Sequence, residues 1–140
     1  MPSTDFTDIR AAIETKLNTV ANLAVVRDVH TGDLDGMPAA TFEPSGNTSE
    51  LFTNDDNLRS YAFDIIIHQE MKNAGREKAV EILCETVDAV LSAFDEDFNL
   101  GGVCDFMLAL PSQWGEYTGE NGAVKYAMIN VVCKKEVTVL

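Results

Sequence analysis

The sequence predicts an α+β protein: a single, mostly antiparallel sheet of about five strands, with two helices packed on one face, in the order α-β-β-β-α-β-β. The first observation is the alternation of apolar residues in Arg59–Glu70, which is typical of a strand. The second is a change, just afterwards, to a spacing of three or four residues, which indicates an amphipathic helix. The third is that most connections are short or hairpin-like, as antiparallel strands require.

Length and composition narrow the classes of function. The 140 residues predict one domain, 1–140, which is large enough to bury about 68–70% of its unfolded surface. Lysines and arginines number 10 against 23 aspartates and glutamates, which gives a formal charge of −13. This excess of acid argues against gripping a nucleic-acid backbone or an anionic membrane, since both need clustered cations. It favours solubility and a basic partner.

The N-terminus lacks the basic start and apolar run of a signal peptide, and no apolar run is long enough to span a membrane. We therefore expect the chain to fold in a reducing cytoplasm. The three cysteines are widely spaced and each lies in an apolar periodic segment, which predicts buried free thiols. They are Cys84, Cys104 and Cys133.

One helix and two short strands are predicted in the first third of the chain. Ser3–Asn18 has apolar residues at helical spacing and capping residues at its start. Leu23–Val29 is rich in β-branched residues and predicts a strand. Pro38–Glu43 predicts a second strand, because prolines stand at its margins and not in its middle. The polar stretch between these two strands predicts a loop.

Ser45–Asn57 is predicted to be a long polar loop. Leu51 and Phe52 form an apolar pair within it. Two interpretations stay open for this pair: a plug over the edge of the core, or a contact with a partner, since long loops without structure of their own are often functional. Leu51 and Phe52 are therefore candidate interface residues.

The centre of the chain is the strand Arg59–Glu70 followed by a helix from about Asn73 to Phe94. At ~1.5 Å per residue this helix is about 30 Å long, enough to cover a sheet. The sequence DEDFNLGG follows it. Gly101 and Gly102 predict a turn with backbone angles that other residues avoid. The exposed side of the helix carries acids, which predict a solvated face: Glu77, Glu81, Glu85 and Asp88.

Two more strands are predicted, Val103–Leu110 and Val124–Lys134, joined by an extended hairpin over residues 111–123. Alternation places one apolar set of each strand on a shared face: Cys104, Phe106, Leu108 and Leu110 in the first, and Ala127, Ile129, Val131 and Cys133 in the second.

The hairpin and the C-terminus hold the remaining candidate interface residues. Trp114 and Tyr117 lie in the polar hairpin, and both a partner contact and packing onto the sheet stay open for them. The apolar tail EVTVL, which includes Val139 and Leu140, is a candidate edge strand for a neighbour.

Motifs for chemistry are absent from the sequence. The turn after the central helix places Leu100 and Phe106 where a calcium loop needs glycine and glutamate, so no metal site is predicted there. His30 and His68 have no ligand-spaced neighbours and are expected at the surface or at strand ends. No nucleophile, phosphate-loop or dinucleotide motif occurs, so we predict no catalytic residue and no cofactor.

The fragments MPAATFEP, RSYAFDIIIHQE, VDAVLSAF and DEDFNLGG, in this order and separated by loops, suggest a family. The chain resembles the tail terminator, or tail completion, proteins of long-tailed bacteriophages and related gene-transfer particles. The resemblance covers nearly the whole chain, as a pattern and as short fragments. The best of these are Val87–Phe94 and Leu100–Gly102.

The resemblance implies a structural virion protein of the tail and neck, present in the host cytoplasm during assembly. Such proteins form a homo-hexameric ring that caps the tail tube, ends tube growth and offers a surface to the head–tail connector or stopper protein. DNA passes through the ring without sequence-specific binding. The resemblance implies no catalytic residues, no cofactor and no membrane contact.

Two alternatives remain beside this expectation. One is a tail-tube or head–tail stopper subunit, which is a protein of the same broad kind. The other belongs to a different class: a small cytoplasmic ligand-binding domain or enzyme that uses the sheet and the 45–57 segment as a pocket.

Overall fold

The structure is a computed structural model, and it describes residues 5–27, 36–51, 56–72, 75–119 and 122–138. Within these ranges, two α-helices and five strands follow the predicted order. They are α1 (Asp5–Asn18), β1 (Val25–Arg27), β2 (Ala39–Leu51), β3 (Asp56–Glu70), α2 (Arg76–Asp95), β4 (Phe106–Gly119) and β5 (Gly122–Thr138), with a short 3₁₀ turn, Leu100–Gly102, before β4.

The strands form one sheet in the order β1-β2-β3-β5-β4. β1 runs parallel to β2, and the other neighbouring pairs are antiparallel. The predicted α+β class is therefore confirmed, with a mixed sheet that is mostly antiparallel. β3 lies at the centre, paired with β2 on one side and β5 on the other, so the segment with the clearest alternation is also the best-covered strand.

Both helices pack on one face of this sheet, which we call the covered face. One cluster of buried side chains joins the inner sides of the helices to alternate residues of the strands. Phe63 at the middle of β3 is fully buried, and Phe6 of α1 meets its ring edge-on at a centroid distance of 5.3 Å. The covered face also takes the predicted apolar set of β5: Ala127, Ile129, Val131 and Cys133.

The prediction of a polar loop over Ser45–Asn57 is wrong. β2 continues to Leu51 and β3 begins at Asp56, so residues 45–51 and 56–57 lie in two paired antiparallel strands. Residues 44–49 are all exposed, which removes the need for apolar alternation and hides the strand from a sequence pattern. The ladder register shifts between Pro44 and Gly46, as in a β-bulge.

Other predicted boundaries move by a few residues. α2 begins at Arg76 after Gly75, whose φ of 79° suits glycine, and Asn73 lies outside the described residues. β1 is described only from Val25 to Arg27. The predicted C-terminal edge strand is instead a continuation of β5 as far as Thr138, paired with the start of β3.

The turn between α2 and β4 confirms the role predicted for its glycines. Gly101 and Gly102 have φ values of 72° and 93°, and the Gly101 N–H donates to Asp97 Oδ1 at 2.9 Å. Asp97 also forms an ion pair with Lys16 of α1 at 3.1 Å. The Gly101 hydrogen bond, with a smaller contribution from Lys16, lowers the pKa of the Asp97 carboxyl, while partial desolvation opposes the shift.

The cysteines follow the prediction in part. Cys104 and Cys133 are buried free thiols, as expected, but Cys84 is exposed on α2. A hydrogen bond between the Cys104 and Cys133 thiols raises the pKa of Cys133 and lowers that of Cys104.

No helix in the described part of the chain is long and apolar enough to cross a membrane.

A candidate protein interface along β4

The apolar residues of β4 that the sequence places on one face form an exposed surface. Phe106, Leu108 and Leu110, which we call the β4 strip, are 43%, 54% and 49% exposed. The residues between them, Met107 and Ala109, face the core instead, opposite buried residues of β5. The β4 strip therefore projects from the uncovered side of the sheet, which we call the open face.

Most of the other exposed apolar side chains lie on the same edge of the molecule. Among the described residues, Phe98 and Trp114 are 65% and 50% exposed, and Val80 of α2 is the other large apolar side chain of this kind. Phe98 belongs to the turn that leads into β4, and Trp114 lies on β4 itself. Apolar exposure concentrated at one edge is typical of a protein–protein interaction surface.

The backbone edge of β4 is protected against pairing with another strand. The Met107 N–H, which points away from β5, already donates to the Phe98 carbonyl at 2.7 Å. Pro111 has no N–H, and the ladder register shifts between Pro111 and Trp114. Native sheets use such devices to prevent edge-to-edge association. A partner at this edge would therefore contact side chains and not extend the sheet.

Three carboxylates lie at the Phe106 end of the β4 strip, and we call them the carboxylate cluster: Asp56, Asp105 and Glu136. The Glu136 N–H donates to Asp105 Oδ2 at 2.7 Å, so Glu136 sits beside the residue that precedes Phe106. A hydrogen bond shared with Asp56 raises the pKa of Glu136, and nearby negative charge adds to the shift. Two cations lie nearby: Lys134 is opposite Phe106 in the ladder, and Lys135 interacts with Asp105.

Trp114 lies further along β4 and has different surroundings. It pairs with Ala127 in the ladder, so it projects from the covered face, as does Glu116 two residues later. Arg76 at the start of α2 binds Glu116 Oε1 at 2.8 Å, and Lys125 lies 3.6 Å from the same oxygen. One carboxylate thus stands between two cations. We call Trp114, Arg76, Glu116 and Lys125 the Trp114 patch.

Tyr117, the other aromatic candidate of the hairpin, packs onto the sheet. Its hydroxyl lies 2.8 Å from His68 Nδ1, while Thr41 Oγ1 lies 2.8 Å from His68 Nε2. Burial raises the pKa of the Tyr117 hydroxyl. His68 lies near the end of β3, as expected, but it is 4% exposed and therefore not a surface residue; His30 lies outside the described residues. Paired hydroxyls explain how a histidine is accommodated in a buried position.

Packing within the β4–β5 hairpin also explains why residue 115, close to Tyr117, is a glycine. A Cβ at Gly115 would lie 2.8 Å from the hydroxyl oxygen of Tyr126, so a side chain there would displace that ring. Leu51 is the last residue of β2, and Phe52, Val139 and Leu140 lie outside the described residues.

The β4 strip is the candidate surface that sequence reasoning missed, although a signal for it exists. Between Phe106 and Leu110 both alternating sets are apolar, whereas a strand with one solvated face normally alternates apolar and polar residues. The surplus apolar set has no covering element in the described structure. A run of this kind just before a proline, which favours an edge position, indicates an edge strand with an exposed apolar face.

The described surface offers little else to a small ligand. A groove of about 300 Å³ lies between α1 and the 3₁₀ turn, beside the Lys16–Asp97 ion pair. A second, of about 240 Å³, is lined by Phe6, Asn47, Arg59 and Tyr61, and a shallow third, of about 360 Å³, lies along the start of α2 from Gly75 to Glu81. No three or more His, Cys, Asp or Glu side chains of the described ranges are grouped to hold a metal ion.

Comparison with protein-family models and with curated proteins finds no match to this chain.

Proposed function

We propose that the protein is a structural subunit of a bacteriophage tail. Six copies form a ring that caps the tail tube, ends its polymerisation and provides the joining surface for the head–tail connector. The observation that carries this proposal is the β4 strip, an exposed apolar surface on a rigid strand of a compact domain. The resemblance of the sequence to tail terminator proteins suggests the assembly in which the β4 strip makes its contact.

The β4 strip has the properties of a surface built for docking. Its side chains stand on a strand whose neighbour β5 is held by β3, so their positions are fixed before a partner arrives. Pre-ordered side chains cost less conformational entropy on binding than loop residues do. Burying an exposed leucine or phenylalanine contributes up to ~1.5–3 kcal/mol, so a few such residues supply much of the free energy of a contact.

The charge of the chain suits passage of DNA through the ring. At a formal charge of −13 the subunit repels phosphates, whereas a DNA-gripping protein releases counterions through clustered cations. The proposed ring therefore surrounds the duplex without sequence-specific binding. The proposal involves no catalytic step, cofactor or membrane. The proposed location is the virion, at the junction of tail and neck, after folding in the host cytoplasm.

The alternative of a ligand-binding domain or enzyme loses the feature on which it depended. It required the 45–57 segment to be a loop lining a pocket, and residues 45–51 are a strand of the sheet. The related alternative, a tail-tube or stopper subunit, shares the β4 strip and differs in where the ring sits. An assembly experiment separates it from a terminator.

The experiment adds the purified protein to tail tubes polymerised in vitro from the tube protein encoded in the same phage genome. Negative-stain electron microscopy then scores tube ends and tube lengths. A terminator yields a ring at one end of each tube and stops elongation when more tube protein is added. Tubes that continue to grow, with no ring at their ends, contradict the proposal. Incorporation of the protein along the tube favours a tube subunit.

A further inference from the structure

Two of the three cysteines meet in the core at the start of β4. Cys133 is fully buried on β5, where it pairs with Met107 of β4 and Tyr61 of β3. Cys104 lies in the short segment between the 3₁₀ turn and β4, and it is 5% exposed. Both belong to the same core cluster, and their thiols are hydrogen-bonded to each other. The two sulfur atoms are therefore in contact, although both cysteines are free.

A short movement would bring these sulfur atoms to the ~2.05 Å of a disulfide bond, and Cys104 is the partner that can make it. Cys133 is fixed at the backbone, because β5 pairs with β3 on one side and with β4 on the other. Cys104 precedes the ladder of β4 and follows the glycine-containing 3₁₀ turn. The Asp105 N–H donates to the Lys134 carbonyl at 2.9 Å and keeps this segment alongside β5.

The two thiols differ as a reactive and a resolving cysteine do. The hydrogen bond from the Cys133 S–H lowers the pKa of Cys104, whereas burial opposes the shift. Among the nearby charges, the carboxylates of Asp105 and Asp97 also oppose the shift, and Lys135 favours it. The same hydrogen bond and burial raise the pKa of Cys133. Because the thiolate is the nucleophilic form, Cys104 is the more reactive thiol as well as the more exposed one.

We propose that Cys104 and Cys133 form a peroxide-sensitive dithiol site, which closes to an intramolecular disulfide bond between the start of β4 and β5. The oxidant is hydrogen peroxide, which is close to water in size and can reach a thiol that is 5% exposed. A readily ionised cysteine beside a second thiol is the arrangement found in reversible redox sites, because the second thiol captures the first oxidation product.

The reaction has two steps. The Cys104 thiolate attacks one peroxide oxygen: an S–O bond forms, the O–O bond breaks, and the leaving hydroxide takes up the proton of the Cys104 thiol to give water. Cys133 then attacks the sulfur of the Cys104 sulfenic acid: the S–S bond forms, the S–O bond breaks, and hydroxide leaves with the Cys133 proton as a second water. Two thiols are oxidised, and one peroxide is reduced to two water molecules.

The bond would close a loop of residues 104–133, which contains β4 and most of β5. A cross-link of this kind removes entropy from the unfolded chain, so oxidation should raise the thermal midpoint by roughly 5–15 °C. Thiols stay reduced in the cytoplasm, whereas disulfides persist at virion surfaces. In a tail subunit the bond would therefore form after the particle leaves the cell, and this consequence rests on the proposed function.

The test treats the purified full-length protein with hydrogen peroxide and maps its disulfides by mass spectrometry of peptides prepared without reductant. The wild type should yield a peptide pair linked through Cys104 and Cys133, and dithiothreitol should release it. Cys84→Ser removes the exposed cysteine of α2 and is the matched control, which should yield the same pair. Absence of this pair, or a link from either residue to Cys84 in its place, would overturn the proposal.

Single variants test the order of the two steps. In Cys133→Ala the sulfenic acid of Cys104 has no thiol beside it, so dimedone, which reacts with sulfenic acids, should label Cys104. In Cys104→Ala the fully buried Cys133 should stay unlabelled. Circular dichroism verifies that both variants are folded. An unlabelled Cys104 in the first variant, or a labelled Cys133 in the second, would contradict the assigned order.

The result for the thiols is independent of the result for the tail tube. Tubes capped by a protein whose thiols do not link contradict the dithiol site and leave the terminator role intact. A linked pair together with uncapped tubes supports the site and contradicts the terminator role. A linked pair without a rise in thermal midpoint would contradict the stabilising effect of the bond.

Discussion

The two faces of the single sheet carry apolar side chains in the same alternating pattern, and they use them differently. On the covered face Phe63 and Ile129 are fully buried under α1 and α2. On the open face Leu108 and Leu110 are about half exposed, on an edge strand with no covering element in the described structure. The same residue types therefore stabilise the fold on one face and remain available for association on the other. Alternation alone does not distinguish these roles.

The largest expected effect comes from the covered face. Phe63→Ala removes a fully buried ring that contacts Phe6, and the cavity it leaves should lower the free energy of unfolding by about 3–5 kcal/mol. Urea denaturation followed by circular dichroism measures the change. Ile66→Ala, on the open face of the same strand and half-buried, is the matched control and should cost clearly less. Equal losses for the two variants would show that the faces do not differ as described.

An intermediate effect is expected where the open face is locally covered by the hairpin. Tyr117→Phe removes the hydroxyl that bonds His68 Nδ1, which should cost about 1–3 kcal/mol because the histidine is buried. Tyr126→Phe is the control, since no hydrogen bond of its hydroxyl occurs among the described residues, and it should cost less than ~0.5 kcal/mol. Thermal unfolding of both variants gives the comparison. A Tyr117→Phe protein as stable as the wild type would contradict the role assigned to this network.

A smaller, pH-dependent effect is expected at the turn that joins the helix layer to β4. The folded state lowers the pKa of Asp97, so its contribution to stability is present above the ordinary carboxyl pKa and is lost as pH falls through the folded value. Asp97→Asn should therefore be less stable than the wild type at pH 7, by up to ~1 kcal/mol.

The stability difference between Asp97→Asn and the wild type should shrink as the pH is lowered below the ordinary aspartate pKa of about 4. Urea denaturation at a series of pH values tests it. Ser92→Ala, at an exposed position of α2 that does not titrate, should differ from the wild type by a constant amount. A difference that grows towards acid would contradict the assigned sign.

The smallest effect on stability is expected from the β4 strip itself. Leu108→Ala removes a side chain that is 54% exposed in the single chain, so the free energy of unfolding should change by less than ~0.5 kcal/mol. The measurement is urea denaturation at about 1 μM protein, where association is negligible. A loss of ~2 kcal/mol or more would show that Leu108 belongs to the core.

Sequence patterns predicted the elements that bury one face and expose the other, and they were less informative for the strands that do not. β3 and α2 were predictable because each buries one face and exposes the other, which leaves a period of two or of about 3.6. Residues 44–49 are exposed throughout, so their strand has no apolar period to detect. β4 has the opposite difficulty: both of its alternating sets are apolar, and the sequence does not say which set the helices cover.

The candidate interface was predictable in part. A lone tryptophan in a polar hairpin indicated Trp114, which is half exposed, but the same reasoning could not separate it from Tyr117. Their difference depends on register: Tyr117 projects from the open face next to His68, and Trp114 projects from the covered face beside Glu116. A β-bulge between Pro111 and Trp114 sets that register, and it follows from the pairing of β4 with β5, which lies beyond local sequence.

The central claim is that the β4 strip serves assembly and not folding. The most direct measurement is the fraction of tail-tube ends capped by Leu108→Asp relative to wild type, at equal protein concentration and with both proteins shown to be folded. We predict that capping by Leu108→Asp falls to the level of tubes without added protein, while Thr48→Asp, a control at an exposed position of β2, caps as the wild type does. Capping by a folded Leu108→Asp protein at the wild-type level would contradict the claim.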